Sequence, residues 1–186
     1  MIYSIVAYGD PVLRKKAVEI DRDYPDLDAF IQSMFDTMYA SSGVGLAAPQ
    51  VGKSIRLFIV DGEPFVEDDP EMADFKKVFI NPLILEETGE EWAFNEGCLS
   101  IPRIREDVNR KEKLRIQYYD QNWEIHTEEF DGLKARIIQH EYDHIEGILF
   151  VDKLAPLKRK LLQGKLSDIS RGKVRTDYKM RFPKLR

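Results

Sequence analysis

Two histidines spaced one helical turn apart constrain this chain more than any other feature. Residues 132–145 follow helical periodicity and contain His140 and His144 within a His-Glu-x-x-His motif. Positions i and i+4 of a helix lie on one face, and that face also carries the apolar residues Leu133 and Ile137. The pattern therefore predicts a helix that packs into the core with both imidazoles directed inward.

The remaining pattern predicts strands between two further helices. Acidic, proline-containing residues 63–74 indicate a loop, and a proline divides the second and third strands. The order of helix, many strands and helix favours the α+β class over alternating βαβ units. We predict mostly antiparallel sheets packed around the central motif-bearing helix. The other predicted helices are 25–40 and 155–166, and the predicted strands are 55–60, 77–82, 83–87, 113–119 and 124–130.

Length and composition favour a single domain without a membrane segment. The chain has 186 residues, of which 43% are hydrophobic and 33% charged, as in ordinary globular proteins. Apolar runs stay well short of the roughly 20 residues that span a bilayer, and the N-terminus lacks the pattern of a signal peptide. With Cys98 as the only cysteine, no intrachain disulfide can form. A cytoplasmic protein that is a monomer and has no membrane partner is expected.

The net charge of −5 conceals an uneven distribution. From Lys153 onwards there are twelve basic and two acidic residues, a balance of +10, which leaves −15 for the rest. We predict a catalytic domain over 1–166 and a flexible basic tail over 167–186. Such a tail is either solvated or in contact with a polyanion such as RNA.

The two motif histidines predict a metal site that needs a third protein ligand and an open position for water. The position six residues after the second histidine is Phe150, and no glutamate follows Glu146, which excludes two usual ligand sets. The remaining candidates are His126 and Cys98, with Asp152 weaker. Cys98 has the better surroundings, because the preceding glycine permits close approach of the backbone.

Two other interpretations stay open on these residues. One is a zinc peptidase that cuts internal peptide bonds, which shares the His-Glu-x-x-His chemistry but lacks its expected third ligand. The other is a noncatalytic domain with a structural metal, although such sites are usually closed by four protein ligands. Cleavage of peptides would favour the peptidase. A metal-bound protein without hydrolase activity would favour the noncatalytic domain.

Three segments, taken together, resemble one family: Gly43-Val44-Gly45-Leu46-Ala47-Ala48-Pro49-Gln50, Glu96-Gly97-Cys98-Leu99-Ser100 and Gln139-His140-Glu141-Tyr142-Asp143-His144. They occur in this family's order and approximate spacing, and residues 9–14 are similar to its beginning, so that the resemblance to peptide deformylase covers residues 1–165. The aromatic stretch 91–95 departs from the family, because it is longer and more aromatic than usual.

The resemblance implies an enzyme that removes the formyl group from the N-terminal formylmethionine of nascent peptides. It implies that Cys98, His140 and His144 bind one divalent metal ion and that Glu141 is the general acid and base for a metal-bound water. By analogy the metal is Fe²⁺, and Zn²⁺, Ni²⁺ or Co²⁺ can substitute, since thiolate and imidazole accept all four.

The resemblance also implies how the substrate is held. The Gln50 side chain and the Leu99 backbone N–H are expected to stabilise the tetrahedral oxyanion, and the Gly45 backbone is expected to bond the substrate. A backbone N–H and a neutral amide suit this task because they stabilise charge on oxygen without acting as nucleophiles.

The methionine side chain requires an apolar pocket. The expected walls are Val44, Gly97, Leu133, Ile137 and the aliphatic stem of Arg136. In the setting of this family, the basic C-terminal region is expected to contact the ribosome, which presents polyanionic RNA near the emerging chain.

Overall fold

The computed structural model describes residues 1–183 of the 186. Three α-helices and seven strands follow one another in an α+β arrangement. The helices are α1 (Leu27–Ala40), α2 (Gly132–Ile145) and α3 (Pro156–Ser170). The strands are β1 (Ile5–Val6), β2 (Gly45–Ala47), β3 (Leu57–Asp61), β4 (Lys76–Cys98), β5 (Ile101–Tyr119), β6 (Ile125–Asp131) and β7 (Met180–Arg181).

Five strands form one antiparallel sheet in the order β2-β3-β4-β5-β6. Alternation along β3 shows how the sheet divides the core, because successive side chains of a strand point to opposite faces. Phe58 and Val60 pack in the cluster that contains α2, whereas Leu57 and Ile59 pack with α1. The sheet is thus covered on both faces, which explains why this strand is a continuous apolar run.

The third cluster joins the C-terminal region to the rest of the molecule. Leu162, Leu166 and Ile169 of α3 pack with Val6 and with Ile101 at the start of β5. The short strands β1 and β7 pair in parallel, whereas neighbouring strands of the five-stranded sheet pair antiparallel. The predicted fold class is confirmed.

The motif helix has the predicted bounds, whereas other elements differ from prediction. The proline was expected to separate two strands, but residues on both sides of it belong to the single strand β4. The register of this strand shifts between Ile80 and Leu83, where Asn81 adopts a φ of 48°. β4 and β5 form a hairpin whose strands are 23 and 19 residues long, so most of residues 88–112 were missed. The predicted loop 63–74 contains two short 3-10 helices.

The predicted division at residue 166 stays a prediction. The structure places α3 across it, through Ser170, and pairs β7 with β1 near the start of the chain. Within residues 1–183, no helix combines the length and hydropathy needed to cross a bilayer.

Candidate metal centre and substrate cavity

Three side chains converge where the end of β4 meets the middle of α2. One donor atom from each of Cys98, His140 and His144 lies within 4.8 Å of the other two. The Cys98 Sγ is 3.3 Å from the His144 Nε2. One thiol and two imidazoles form the kind of soft donor set that takes a divalent transition metal and leaves a position open.

A buried carboxylate orients one of these imidazoles. Glu96 accepts a hydrogen bond from the His140 Nδ1 at 3.0 Å, which leaves the Nε2 of that ring to face Cys98. Burial opposes ionisation of Glu96, but hydrogen bonds from His140 and Arg110 hold its pKa well below the usual range. An ionised Glu96 can only accept, so the proton of His140 is placed on Nδ1.

The carboxylate of Glu96 is itself held by two buried guanidinium groups. Arg110 donates to both of its oxygens, at 2.7 and 3.1 Å, and its third nitrogen donates to Asp143 at 2.7 Å. Arg136 donates to the same carboxylate at 3.0 Å. Two cations and two carboxylates therefore balance one another in a region with little access to water.

Arg136 does more than supply an aliphatic wall. Its guanidinium lies 4.6 Å from the ring centroid of Trp92 and 5.8 Å from that of Phe94, and it donates to the carbonyls of Trp92 and Val108. The residue is only 2% exposed. The aromatic stretch 91–95 thus packs on the arginine that supports Glu96.

Glu141 is a buried carboxylate with a free oxygen. It is 5% exposed, and its Oε2 has no hydrogen-bond partner among the described residues. Burial, reinforced by the negative charge of Glu96, raises the pKa of Glu141 to about 7. A carboxylate in this state can both accept and return a proton near neutral pH.

The amide of Gln50 points its N–H₂ toward the metal ligands. Its Oε1 accepts from the Ala47 N–H at 3.0 Å, so the Nε2 is directed to the Ser100 hydroxyl at 3.2 Å and the Cys98 Sγ at 3.5 Å. Gln50 is 2% exposed. Leu99, the other predicted oxyanion donor, follows Cys98 and lines the same cavity.

These groups open onto a cavity of about 620 Å³. The predicted wall residues that line it are Val44, Gly45, Gly97, Arg136 and Ile137. Leu133 is not among the residues that line it, and its side chain packs against the cluster between α2 and the sheet, so its role as a pocket wall stays a prediction.

The alternative third ligands lie elsewhere. The His126 Nε2 is 2.8 Å from Asp120, in a second, smaller pocket at the start of β6. Asp152 is paired with Arg14. Arg105, considered as a substrate contact, lies at the cavity rim and bonds Asn95 through its side chain. Of the candidates, Cys98 alone joins the two histidines.

Sequence reasoning missed several residues of the site. Glu96 and Ser100 lie inside a quoted motif but had no assigned role, whereas Arg110 lies in the missed part of the hairpin. Tyr178 belongs to the predicted tail, and its hydroxyl donates to the Leu99 carbonyl at 2.8 Å. Burial raises the pKa of Tyr178 to about 12, so the phenol keeps its proton.

An α+β fold that brings this donor set beside a buried carboxylate is typical of metal-dependent hydrolases. The family described as polypeptide deformylase matches residues 2–160. The chain belongs to that family, and the predicted family and enzyme class are confirmed.

Named relatives cover nearly the whole chain. It is 60% identical to the peptide deformylase of Christiangramia forsetii, over 98% of this chain and 97% of that one, and 55% identical to that of Flavobacterium psychrophilum over the full length of both. The crystal structure of a peptide deformylase from Legionella pneumophila is 39% identical and has a TM-score of 0.81, with coverage of 95% of this chain and 99% of that one.

Proposed function

We propose that this protein hydrolyses the N-formyl group of formylmethionine at the start of newly synthesised polypeptides and releases formate. The observation that carries the proposal is the free Oε2 of Glu141, buried in a cavity beside the convergent Cys98, His140 and His144. Membership of the polypeptide deformylase family supports the same reaction.

The chemistry of the donor set fits a divalent metal ion. The proton of His140 is placed on Nδ1 by Glu96, which frees the Nε2, and the His144 Nε2 already faces the Cys98 sulfur. Bound there, a divalent cation would act as a Lewis acid and lower the pKa of a water molecule. We propose Fe²⁺ as the native ion, with Zn²⁺, Ni²⁺ or Co²⁺ able to substitute.

Glu141 is proposed to move the proton. Its free Oε2 accepts a proton from the attacking water and returns it to the nitrogen of the leaving amine. Burial favours the neutral form of the Glu141 carboxyl and so supports its uptake of the proton from the water. The carboxylate is 5% exposed and lines the cavity, so it can reach a water molecule held there.

Two neutral donors are proposed to stabilise the charge that develops on the formyl oxygen. The Gln50 Nε2 is held toward the metal ligands by the Ala47 N–H on its other side, and the Leu99 N–H comes from the turn after β4. Removing one such donor typically costs about 3 kcal/mol of transition-state stabilisation.

The methionine side chain is proposed to occupy the cavity against Val44, Gly97, Ile137 and the stem of Arg136. The backbone of Gly45, at the start of the edge strand β2, is free to bond an extended peptide on the side away from β3.

Formate release tests the proposal. Metal-loaded protein is incubated anaerobically with formyl-Met-Ala-Ser, alongside Glu141→Ala and Cys98→Ala. Formate from the wild type, its loss in Glu141→Ala with metal retained, and its loss in Cys98→Ala with metal depleted are expected. The control His126→Ala changes the remaining histidine and should keep both metal and activity. Peptide cleavage without formate would reject the proposal in favour of a peptidase.

We also propose that the basic C-terminal region contacts ribosomal RNA. Arg159, Lys160 and Lys165 are exposed on α3 and add to the +10 balance of residues 153–186. Changing all three to Glu should weaken cosedimentation with ribosomes while hydrolysis of the free tripeptide stays unchanged.

The matched control for ribosome contact changes the same charge elsewhere. Lys15, Lys53 and Lys113 are exposed lysines outside this region, and their change to Glu should leave cosedimentation intact. Equal losses in both triple variants would show a general charge effect and refute a specific contact.

A further inference from the structure

The C-terminal segment 172–183 returns to the catalytic cavity. The Ile5 N–H donates to the Lys179 carbonyl and the Ala7 N–H donates to the Arg181 carbonyl, both at 2.9 Å, which aligns β7 beside β1. The residues just before β7 then reach the mouth of the cavity, where Thr176, Asp177 and Tyr178 form part of its wall.

Tyr178 connects this segment to the turn that carries Leu99. Its hydroxyl donates to the Leu99 carbonyl at 2.8 Å, and its half-buried ring packs on the same core cluster as the Leu99 side chain. The Thr176 Oγ1 donates to the Tyr178 carbonyl at 2.7 Å, which fixes the local turn of the segment.

A second hydrogen bond ties the segment to the start of β5. The Arg103 Nε donates to the Arg175 carbonyl at 3.2 Å. Arg103 has a φ of 65°, which is unfavourable for a residue with a side chain and persists only where surrounding contacts hold it. Segment 172–183 is therefore attached both to the turn between β4 and β5 and to the start of β5.

This turn consists of Leu99 and Ser100 alone. The Ser100 carbonyl accepts from the Tyr8 backbone N–H at 2.8 Å, and its hydroxyl accepts from Gln50. The Leu99 carbonyl is held by Tyr178. Both carbonyls of the turn are thus fixed from outside it, one by a main-chain donor and the other by a side chain from the last nine residues.

We propose that Tyr178 is a positioning residue for hydrolysis: its hydroxyl holds the Leu99 carbonyl, which fixes the backbone of the two-residue turn and so keeps the Leu99 N–H directed at the formyl oxygen. The inference rests on the proposed function, in which that N–H is an oxyanion donor. A donor stabilises the transition state only if it is already oriented, since reorienting it during the reaction would consume the stabilisation.

The variant Tyr178→Phe tests the proposal, because it removes the hydroxyl and keeps the ring. We expect a fall in kcat of roughly 3- to 10-fold with KM within about twofold, as for an interaction that acts mainly in the transition state. The matched control is Tyr39→Phe, which removes a hydroxyl bonded to Asp61 outside the cavity and should leave kcat unchanged.

A spectroscopic measurement separates positioning from simple support of the fold. The Ser100 amide shares its peptide group with the Leu99 carbonyl and reports on the hydrogen bond, whereas the Leu99 amide is the proposed donor itself. The ¹H and ¹⁵N resonances of both amides should shift in Tyr178→Phe and stay in place in Tyr39→Phe. The thermal midpoint Tm of both variants is measured alongside.

Two results would overturn the proposal: an unchanged kcat, with or without a rise in KM, or an unmoved Leu99 amide resonance. A lower Tm with full kcat falls under the first of these and would assign Tyr178 a structural role. Failure of the proposed function itself is distinguishable, because then the wild type releases no formate, whereas the Ser100 shift still reports on the hydrogen bond.

Discussion

Gly45 and Glu141 approach so closely that a methyl group does not fit between them. A Cβ on Gly45 would stand 2.5 Å from the Glu141 Oε1 and 2.8 Å from its Cγ and Cδ. The requirement for glycine at this position is one of space, because its φ is not in the left-handed region. The edge strand β2 and the helix α2 therefore meet through the carboxylate proposed to move the proton.

Gly45→Ala should impair catalysis by displacing Glu141. We expect kcat for formate release to fall by about 10- to 100-fold, since small displacements of a reacting group carry large costs. Metal content should stay unchanged, because the three ligands are not touched. Steady-state kinetics with metal analysis checks this outcome, and full activity would show that the carboxylate tolerates a shift.

A second glycine provides the comparison. Gly164 lies on α3, and a Cβ there would meet no heavy atom within 4 Å. Gly164→Ala should therefore leave kcat unchanged and add slightly to stability, since alanine favours the helix by about 1 kcal/mol. Equal effects of the two substitutions on kcat would contradict the steric explanation.

Glu96→Gln should weaken metal binding and destabilise the fold together. The neutral amide would present an N–H₂ group to one of the donors Arg110, Arg136 and His140, and two buried guanidinium groups would lose a shared partner. Loss of one member of a buried ion pair costs about 3–5 kcal/mol, and loss of an outer partner of a ligand weakens metal affinity about 10- to 100-fold.

Chemical denaturation and competition with a metal chelator measure these two effects. The control is Glu86→Gln, which removes an exposed carboxylate 3.9 Å from Arg115 and should change neither quantity appreciably. Normal metal affinity in Glu96→Gln would mean that the orientation of His140 does not depend on this carboxylate.

Arg136→Lys should destabilise the protein although the charge is kept. Lysine cannot match the flat contact with Trp92 while donating to Glu96 and to two carbonyls. We expect a loss of about 2 kcal/mol in the free energy of unfolding, with a change in tryptophan fluorescence. Arg105→Lys, at an exposed arginine, should cost much less, and equal costs would refute a special role for Arg136.

How much could be predicted from the sequence depended on whether each signal was local. Helix 132–145 was predictable because its periodicity and both histidines lie in one segment. Much of the hairpin was not, since residues 88–96 and 105–112 are rich in charges, and pairings such as Glu91 with Lys111 exist only once the strands meet. The Tyr178 contact spans 79 positions and has no local pattern at all.

The metal ligands were likewise only partly predictable from the sequence. The spacing of His140 and His144 was enough to predict that both bind one metal. The third ligand was not settled by sequence, because Cys98 lies 42 residues before His140 and His126 remained a candidate. The fold decides between them, since it brings the end of β4 to α2. Leu133 was expected at the cavity because it shares a helical face with Ile137. Only part of this helical face borders the cavity. Leu133, near the start of α2, packs on the sheet instead.

Removing the metal should lower thermal stability without unfolding the protein. Helix α2 is anchored independently of the ligands, because Ala135, Ile138 and Ile145 are fully buried against the sheet. We expect the chelated protein to keep its far-ultraviolet circular dichroism and to regain its Tm on addition of Ni²⁺ or Co²⁺. A ligand at 100 times its Kd adds about 2.7 kcal/mol, and this increment should be absent in Cys98→Ala. Loss of helical signal on chelation would instead make the metal a requirement for folding, as in small zinc domains.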